Sequence, residues 1–321
     1  MKPRVLVTEA IHQAGWDLLA GETVGVAWTG EQAEPLARAL EGVQAVIVRV
    51  AKLPADVIRG AKGLKIIAKH GVGYDNIDVK AATECGILVT NTPTANSQSV
   101  AEHALALLLA VARRVGDVSR DLALKHIQSQ KAYQGFELGG KVMGIIGLGG
   151  AGLRLARMTG NGLGMRVIGY DPYRQPWPEG VERFQDLNPL LAEADYLSIH
   201  VPLTAETRNV IGPAAMSRMK PTSVLVNTAR GGIVDEAALA EAIKGGRIGG
   251  AGLDVIVDEP LQANHPLAGL PNVILTPHMA GVTEEAMMRM AQNAAEDVVR
   301  VLRGERPKYP VNPDVFTRRG M

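Results

Sequence analysis

The chain has 321 residues, room for about two domains, with 34 Lys+Arg against 33 Asp+Glu and a formal net charge of +1. So even a balance gives no field to gather a phosphate backbone or an anionic membrane, so neither nucleic acid nor membrane is expected as a partner. A composition of 46% hydrophobic and 21% charged residues is globular, and the single cysteine, Cys85, excludes an internal disulfide framework and a cysteine-rich zinc site.

From its first residues the chain runs into a strand-like segment without the apolar stretch of a signal peptide. Together with the lone thiol this reads as a cytoplasmic protein. Strand candidates follow at 5–7, 45–48, 65–68 and 87–89, then at 142–146, 166–170, 196–200, 223–227, 250–253 and 273–275. These runs are apolar without alternation, which predicts strands buried on both faces, as in parallel sheets. Helix-length segments separate them, for example 235–244, with Asp235 as its N-cap and Gly245-Gly246 as its stop. Strand–helix alternation of this kind predicts a doubly wound α/β architecture. Turn-rich stretches at 91–97 and 276–281 read as domain junctions. The helix predicted over 100–115 is apolar on more than one face and must be widely buried, while the apolar run 104–112 is too short to span a bilayer. The tail at 307–312 is expected to return to the first domain.

The strand candidate 142–146 leads directly into Gly147-Leu148-Gly149-Gly150-Ala151-Gly152 and then a helical stretch. This is GxGxxG in strand–turn–helix context. Gly147 permits the tight turn, Gly149 lets a pyrophosphate approach, and Gly152 lets the helix pack on the sheet. A second strand ends at Asp171, 19 residues after Gly152. A carboxylate there binds ribose hydroxyls and repels a 2′-phosphate, so NAD is expected rather than NADP.

In open α/β sheets ligands bind outside the carboxyl ends of strands. Of the seven histidines, His70, His200 and His278 stand at such ends. His12, His103 and His126 read as surface or packing residues and His265 as a loop residue. Arg230, Asp254 and Glu259 also follow strand candidates. An arginine so placed can fork onto a carboxylate, and a histidine beside an acid can shuttle a proton. For each residue alone, a capping or salt-bridging role is the better explanation. No metal site is expected.

Four stretches carry a resemblance: HGVGYDNIDV at 70–79; NSQSVAEHALALLLAV at 96–111; the GLGGAG turn with YDPY at 170–173; and the NTARGG, GLDVIVDEP and TPHMAG segments. In this order, across the chain, they resemble the D-isomer-specific 2-hydroxyacid dehydrogenase family. The resemblance implies two doubly wound parallel-sheet domains. A Rossmann NAD-binding domain at 99–290 is inserted in a flavodoxin-like substrate-binding domain formed by 1–98 and 291–321. It implies Arg230, Glu259 and His278 as the catalytic triad. His278 takes the hydroxyl proton as C2 gives a hydride to nicotinamide, Glu259 pairs with His278, and Arg230 holds the carboxylate. Gly150 and Ala151 approach the pyrophosphate. Asp254 bonds the carboxamide, with Thr228 and Ala229 offering backbone groups. His200 and Pro202 line the adenine or ribose side, and Val100 lies near the nicotinamide. Amides of Val72 and Gly73 hold the substrate carboxylate. A homodimer built on the first long helix and the segment 121–136 is implied too, with closure hinged at the two junctions.

The acid itself is less determined. Arg49, Lys69 and His70 flank the expected substrate loop, and extra cations there suit a second anionic group, although a solvated lysine and a hydrogen-bonded histidine explain them as well. The motifs are similar to those of phosphoglycerate dehydrogenases of a short form, without a regulatory extension. Hydroxypyruvate or glyoxylate reductases and sulfolactate dehydrogenases share them, phosphite oxidation would use the same triad, and Glu259 disfavours formate dehydrogenases. A different class of function is an NAD-sensing protein like the family's transcriptional corepressors.

Overall fold

A computed structural model describes residues 1–30, 34–124 and 130–319; His126 and the middle of the 121–136 segment lie outside the described residues. The chain divides into two compact units, Met1–Asn96 with Val282–Met321, and Ser97–Gly281.

The first unit holds β1 (Arg4–Val7), β2 (Val24–Ala27), β3 (Ala45–Val48), β4 (Ile66–Lys69) and β5 (Leu88–Thr90). All pair in parallel in the order β2-β1-β3-β4-β5. This is the flavodoxin-like order, with its switch point between β1 and β3. β3 (Ala-Val-Ile-Val), β4 (Ile-Ile-Ala-Lys) and β5 (Leu-Val-Thr) are buried throughout, in keeping with their largely apolar, non-alternating sequences. Edge strand β2 is mostly exposed and carries no such run, so the sequence did not announce it.

One face of this sheet is closed by the helix Glu284–Leu302, whose Ala294, Ala295, Val298 and Val301 pack on Val5, Ala45, Ile66 and Leu88. That helix starts on Thr283, whose Oγ1 accepts the Ala286 N–H, and runs unbroken for 19 residues. The second junction therefore precedes the helix: a boundary at 291 would cut one continuous hydrogen-bonded element. The tail does return here. The Asn312 side chain accepts the Val89 N–H at 2.8 Å and donates to the Ile87 carbonyl at 2.9 Å.

The second unit holds β6 (Val142–Ile146), β7 (Arg166–Tyr170), β8 (Glu182–Arg183), β9 (Tyr196–Ile199), β10 (Val224–Asn227), β11 (Gly250–Leu253) and β12 (Val273–Leu275). They form one parallel sheet in the order β12-β11-β10-β9-β6-β7-β8. The order reverses between β6 and β9, the arrangement of a dinucleotide-binding domain, and ligands bind outside the carboxyl ends at that reversal. The two-residue β8 is exposed and had no sequence signature.

The helix expected over 100–115 is Ser97–Ala112, ending before Arg114, which has φ 54°, and a second helix, Val115–Leu124, follows it. Asp117, buried, fixes this break: its Oδ2 accepts the Arg114 guanidinium at 3.0 Å and the Asn272 N–H at 2.9 Å. By contrast the helix Glu236–Lys244 starts as expected, with Asp235 Oδ1 accepting the Ala238 N–H, and stops at Gly245. Among the described residues no helix is long and apolar enough to cross a membrane.

Candidate active site

In the second unit, each singled-out residue except Val100 follows a strand's carboxyl end. β6 ends at Ile146, and Gly147 turns the chain with φ 89°. The His200 carbonyl oxygen stands 2.5 Å from where a Cβ on Gly147 would lie, so only glycine fits. The helix Gly150–Arg157 follows, with Gly149 as N-cap and no side chain capping its first turn. Nothing lies within 4 Å of a Cβ placed on Gly149. Uncapped N–H groups at the positive end of a helix, facing open space, form an anion cradle. Asp171, after β7, is fixed beside it: Oδ2 accepts the Leu148 N–H at 2.9 Å and Oδ1 the Tyr173 N–H at 3.0 Å.

Thr228, after β10, is 7% exposed, and its Oγ1 meets no hydrogen-bond partner among the described residues. A buried hydroxyl without a partner is costly, so it marks a place where a bound group completes the bonding. The cradle, the fixed carboxylate and this hydroxyl fit a dinucleotide. His200, after β9, has Nε2 2.9 Å from Ser198 Oγ, and burial pushes its pKa down to about 4, so the ring is neutral near pH 7. Pro202 is exposed, Ala229 is half-buried beside Thr228, and Val100 is half-buried in the first turn of the helix Ser97–Ala112.

Three loops of this unit carry the expected triad. Asn227 Nδ2 donates to the Arg230 carbonyl at 2.8 Å and its Oδ1 accepts the Ala229 N–H at 3.0 Å, so the end of β10 shapes the Arg230 turn. Arg230 Nη1 donates to the Ala229 carbonyl at 2.6 Å. At Gly231 a Cβ would collide with the backbone of Ile256, so glycine lets this turn lie against the loop leading to Glu259. Glu236 Oε1 accepts the Val257 N–H at 2.8 Å and anchors that loop. Glu259 Oε2 stands 2.8 Å from His278 Nδ1, both side chains partly open to solvent.

His278 has φ 51°, a conformation costing a non-glycine residue on the order of 1 kcal/mol. The loop around it is tied to Asp254, which is 1% exposed. The His278 N–H donates to the Asp254 carbonyl at 2.8 Å. Asp254 Oδ1 accepts the Met279 N–H at 2.9 Å and the Thr276 hydroxyl at 2.6 Å, and Oδ2 accepts the Ala280 N–H at 2.8 Å. Burial pushes the Asp254 pKa up, but donation from His103, Thr276 and the two amides outweighs it and holds the carboxyl below its ordinary range. His103 had no sequence signal beyond its helical position; only the fold brings it to residues 254 and 276.

In the first unit Arg49 follows β3 and His70 follows β4. Glu9, which the sequence did not single out, accepts the N–H groups of Arg49, Val50 and Ala51 at 2.8, 3.1 and 2.6 Å. Lys69 Nζ donates to the Arg49 carbonyl and, at 2.7 Å, to Asn76 Oδ1. The Gly71 carbonyl accepts the Thr92 N–H and the Val72 carbonyl accepts Asn91 Nδ2. In a trans peptide the N–H points opposite the C=O, so the Val72 and Gly73 amides face away from these partners. His70 is 2% exposed, and neither ring nitrogen meets a hydrogen-bond partner among the described residues. Burial, with the charges of Arg49 and Lys69 acting in the same direction, lowers its pKa to about 4. No group of three His, Cys, Asp or Glu suited to a metal ion occurs among the described residues.

Parallel-sheet topology, anion cradle and acid–histidine pair together define a dinucleotide-dependent α/β protein. Residues 105–280 match the family described as D-isomer specific 2-hydroxyacid dehydrogenase, NAD binding domain. The chain is 43% identical over 315 residues to D-3-phosphoglycerate dehydrogenase of Methanocaldococcus jannaschii, covering 96% of this chain and 59% of that protein. It is 41% identical over 327 residues to glyoxylate reductase of Korarchaeum cryptofilum, covering 98% and 97%. Among solved structures, NADPH-dependent glyoxylate/hydroxypyruvate reductase of Sinorhizobium meliloti, in complex with NADP and malonate, superposes with a TM-score of 0.85 at 30% identity, covering 98% of each chain. The chain belongs to the D-isomer specific 2-hydroxyacid dehydrogenase family. Its second unit is that family's NAD-binding domain.

Proposed function

We propose that the protein is an NAD-dependent oxidoreductase that moves a hydride between nicotinamide and C2 of a small 2-hydroxy or 2-oxo acid, of the phosphoglycerate type. The carrying observation is the Glu259–His278 pair at the carboxyl edge of a dinucleotide-binding sheet, 2.8 Å apart. An ionised carboxylate only accepts, so Glu259 sets the proton on Nδ1 and leaves the Nε2 lone pair for the substrate hydroxyl. His278 takes that proton in oxidation and returns it in reduction. Arg230 holds the substrate carboxylate and polarises the C2 oxygen. The nicotinamide supplies the hydride chemistry when bound. Gly150 and Ala151 amides hold its pyrophosphate, Asp171 its adenosine ribose and Asp254 its carboxamide, with Thr228, Ala229, His200, Pro202 and Val100 lining the remainder. For the first unit by itself, Arg49 and the outward amides of Val72 and Gly73 are the substrate contacts, with Lys69 bracing the loop beneath them.

One observation favours a second reading, hydroxypyruvate or glyoxylate reductase. The Lys69 ammonium is already engaged by Arg49 and Asn76, and a substrate without a second anionic group makes no demand on it. A panel of 3-phosphohydroxypyruvate, hydroxypyruvate, glyoxylate and 3-sulfopyruvate with NADH tests both. Highest kcat/KM on the phosphorylated acid supports the first reading; highest on glyoxylate or hydroxypyruvate supports the second. NADH binding with no turnover of any member overturns both in favour of an NAD sensor.

The partner expected in solution is a second copy. Leu109, Val115, Leu122, Leu124 and Phe136 expose large apolar side chains on one stretch of the second unit, and exposed apolar groups of this size gather at interfaces. A cytoplasmic location accords with the single, exposed thiol of Cys85.

A further inference from the structure

His103 lies on the helix Ser97–Ala112, with its side chain largely covered. Its Nε2 stands 2.9 Å from Thr276 Oγ1 and 3.4 Å from Asp254 Oδ1. Proton directions in this chain are forced. The Asp254 carboxylate only accepts, so the one Thr276 hydroxyl proton goes to it over 2.6 Å. Thr276 Oγ1 is then an acceptor towards His103, and Nε2 must carry the proton. The relay runs His103 to Thr276 to Asp254, with His103 Nε2 also facing Asp254 Oδ1 directly at 3.4 Å, and Asp254 in turn receives the amides of Met279 and Ala280, the two residues after His278.

We propose that His103 is a positioning residue for the acid–base loop, holding the backbone on both sides of His278 through Thr276 and Asp254. This rests on the assignment of His278 as the proton-transfer group. Residue 276 precedes His278 by two positions, and residues 279 and 280 follow it. A carboxylate held from both sides therefore fixes the two ends of the turn that keeps His278 at positive φ. Without the His103 donor, Thr276 can rotate its hydroxyl away and Asp254 loses its outer support. The His278 imidazole then has more than one orientation towards Glu259. Misplacement of a reacting group by about 1 Å costs up to roughly a hundredfold in rate.

The experiment compares His103→Leu, Thr276→Val, their double variant and His103→Gln. Each is measured for kcat, KM and the number of NADH sites by fluorescence titration. The expected result is a fall in kcat of about ten- to a hundredfold for each disruptive single variant, with NADH sites unchanged. The double variant should be no worse than the poorer single one, and His103→Gln, which keeps a donor at similar reach, should return to within about threefold of the parent. Loss of NADH sites in proportion to kcat would show a folding role only and overturn the proposal. So would multiplying losses in the double variant, a His103→Gln as slow as His103→Leu, or a His103→Leu within twofold of the parent. If His103→Leu does not fold, the pair Thr276→Val and His103→Gln decides: a slow first and a fast second support the proposal, and a Thr276→Val within twofold overturns it. His278→Ala, run alongside, separates the two levels. Full activity there removes the assignment of His278 itself, whereas an inactive His278→Ala beside an unaffected His103→Leu removes only the role of His103.

Discussion

Glu259 Oε2 lies 2.8 Å from His278 Nδ1, and the Glu259 carboxylate also accepts the Ile256 N–H through Oε1 at 3.3 Å. The carboxylate thus joins two loops of the second unit and sets the tautomer of the ring. Glu259→Gln keeps the shape and removes the charge, and its amide can donate to Nδ1 and so stabilise the wrong tautomer. A fall in kcat of about ten- to a hundredfold is expected, with KM for NADH within about threefold. Steady-state kinetics over a pH series checks this: an unchanged kcat profile would contradict the pairing.

Asp171 serves two ends at once. Its oxygens hold the Leu148 and Tyr173 amides, so the group proposed to bind the ribose also braces the glycine turn. Asp171→Ala should raise KM for NADH by roughly tenfold and improve NADPH relative to NADH by at least tenfold. It should also lower Tm, because the Leu148 amide loses its acceptor. Kinetics with both cofactors reads the first effect and calorimetry the second. A parent that already prefers NADPH would contradict the role given to Asp171.

Two histidines, the buried His70 and the half-buried His200, give the fold an acid limit. His70 and His200 both have pKa values lowered from about 6.5 to about 4. Unfolded, each takes a proton near pH 6.5, whereas folded, each resists until about pH 4. Their stabilisation is therefore full above pH 6.5 and is lost as pH falls from there to 4. For the deeply buried His70 the shift corresponds to about 3 kcal/mol across that window. Tm measured from pH 7.5 to 4 should fall, and His70→Leu should flatten that fall while leaving Tm at pH 7.5 unchanged or higher. An equally steep fall in the variant would contradict this account.

Apolar side chains on the helices Ser97–Ala112 and Val115–Leu124 stand in water in the single chain, with Leu122 68% exposed. Sedimentation of the parent should give a dimer, and Leu122→Glu should shift it towards monomer without a large loss of Tm. A monomeric parent would remove the proposed partner.

What the sequence could show depended on burial and on distance along the chain. The inner strands were legible because β3, β4, β9, β10 and β11 are buried on both faces and read as unbroken apolar runs. Exposed β2 and β8 lack that contrast and were silent. The glycine turn was legible because its spacing is local, and the Glu259–His278 contact because strand ends carried both residues and the family resemblance tied them together. The break at Arg114 was hidden, since it depends on Asn272 reaching Asp117 from far along the chain. His103 was hidden for the same reason: its partners Thr276 and Asp254 belong to loops brought to it only by the sheet.

The most direct measurement is kcat of His278→Ala on whichever 2-oxo acid of the panel the parent reduces, with NADH affinity followed in parallel. A loss of about a thousandfold or more with NADH affinity within threefold is the expected result, since proton transfer is lost and the cradle at Gly149 is untouched. A His278→Ala variant that keeps kcat within tenfold of the parent would contradict the central claim.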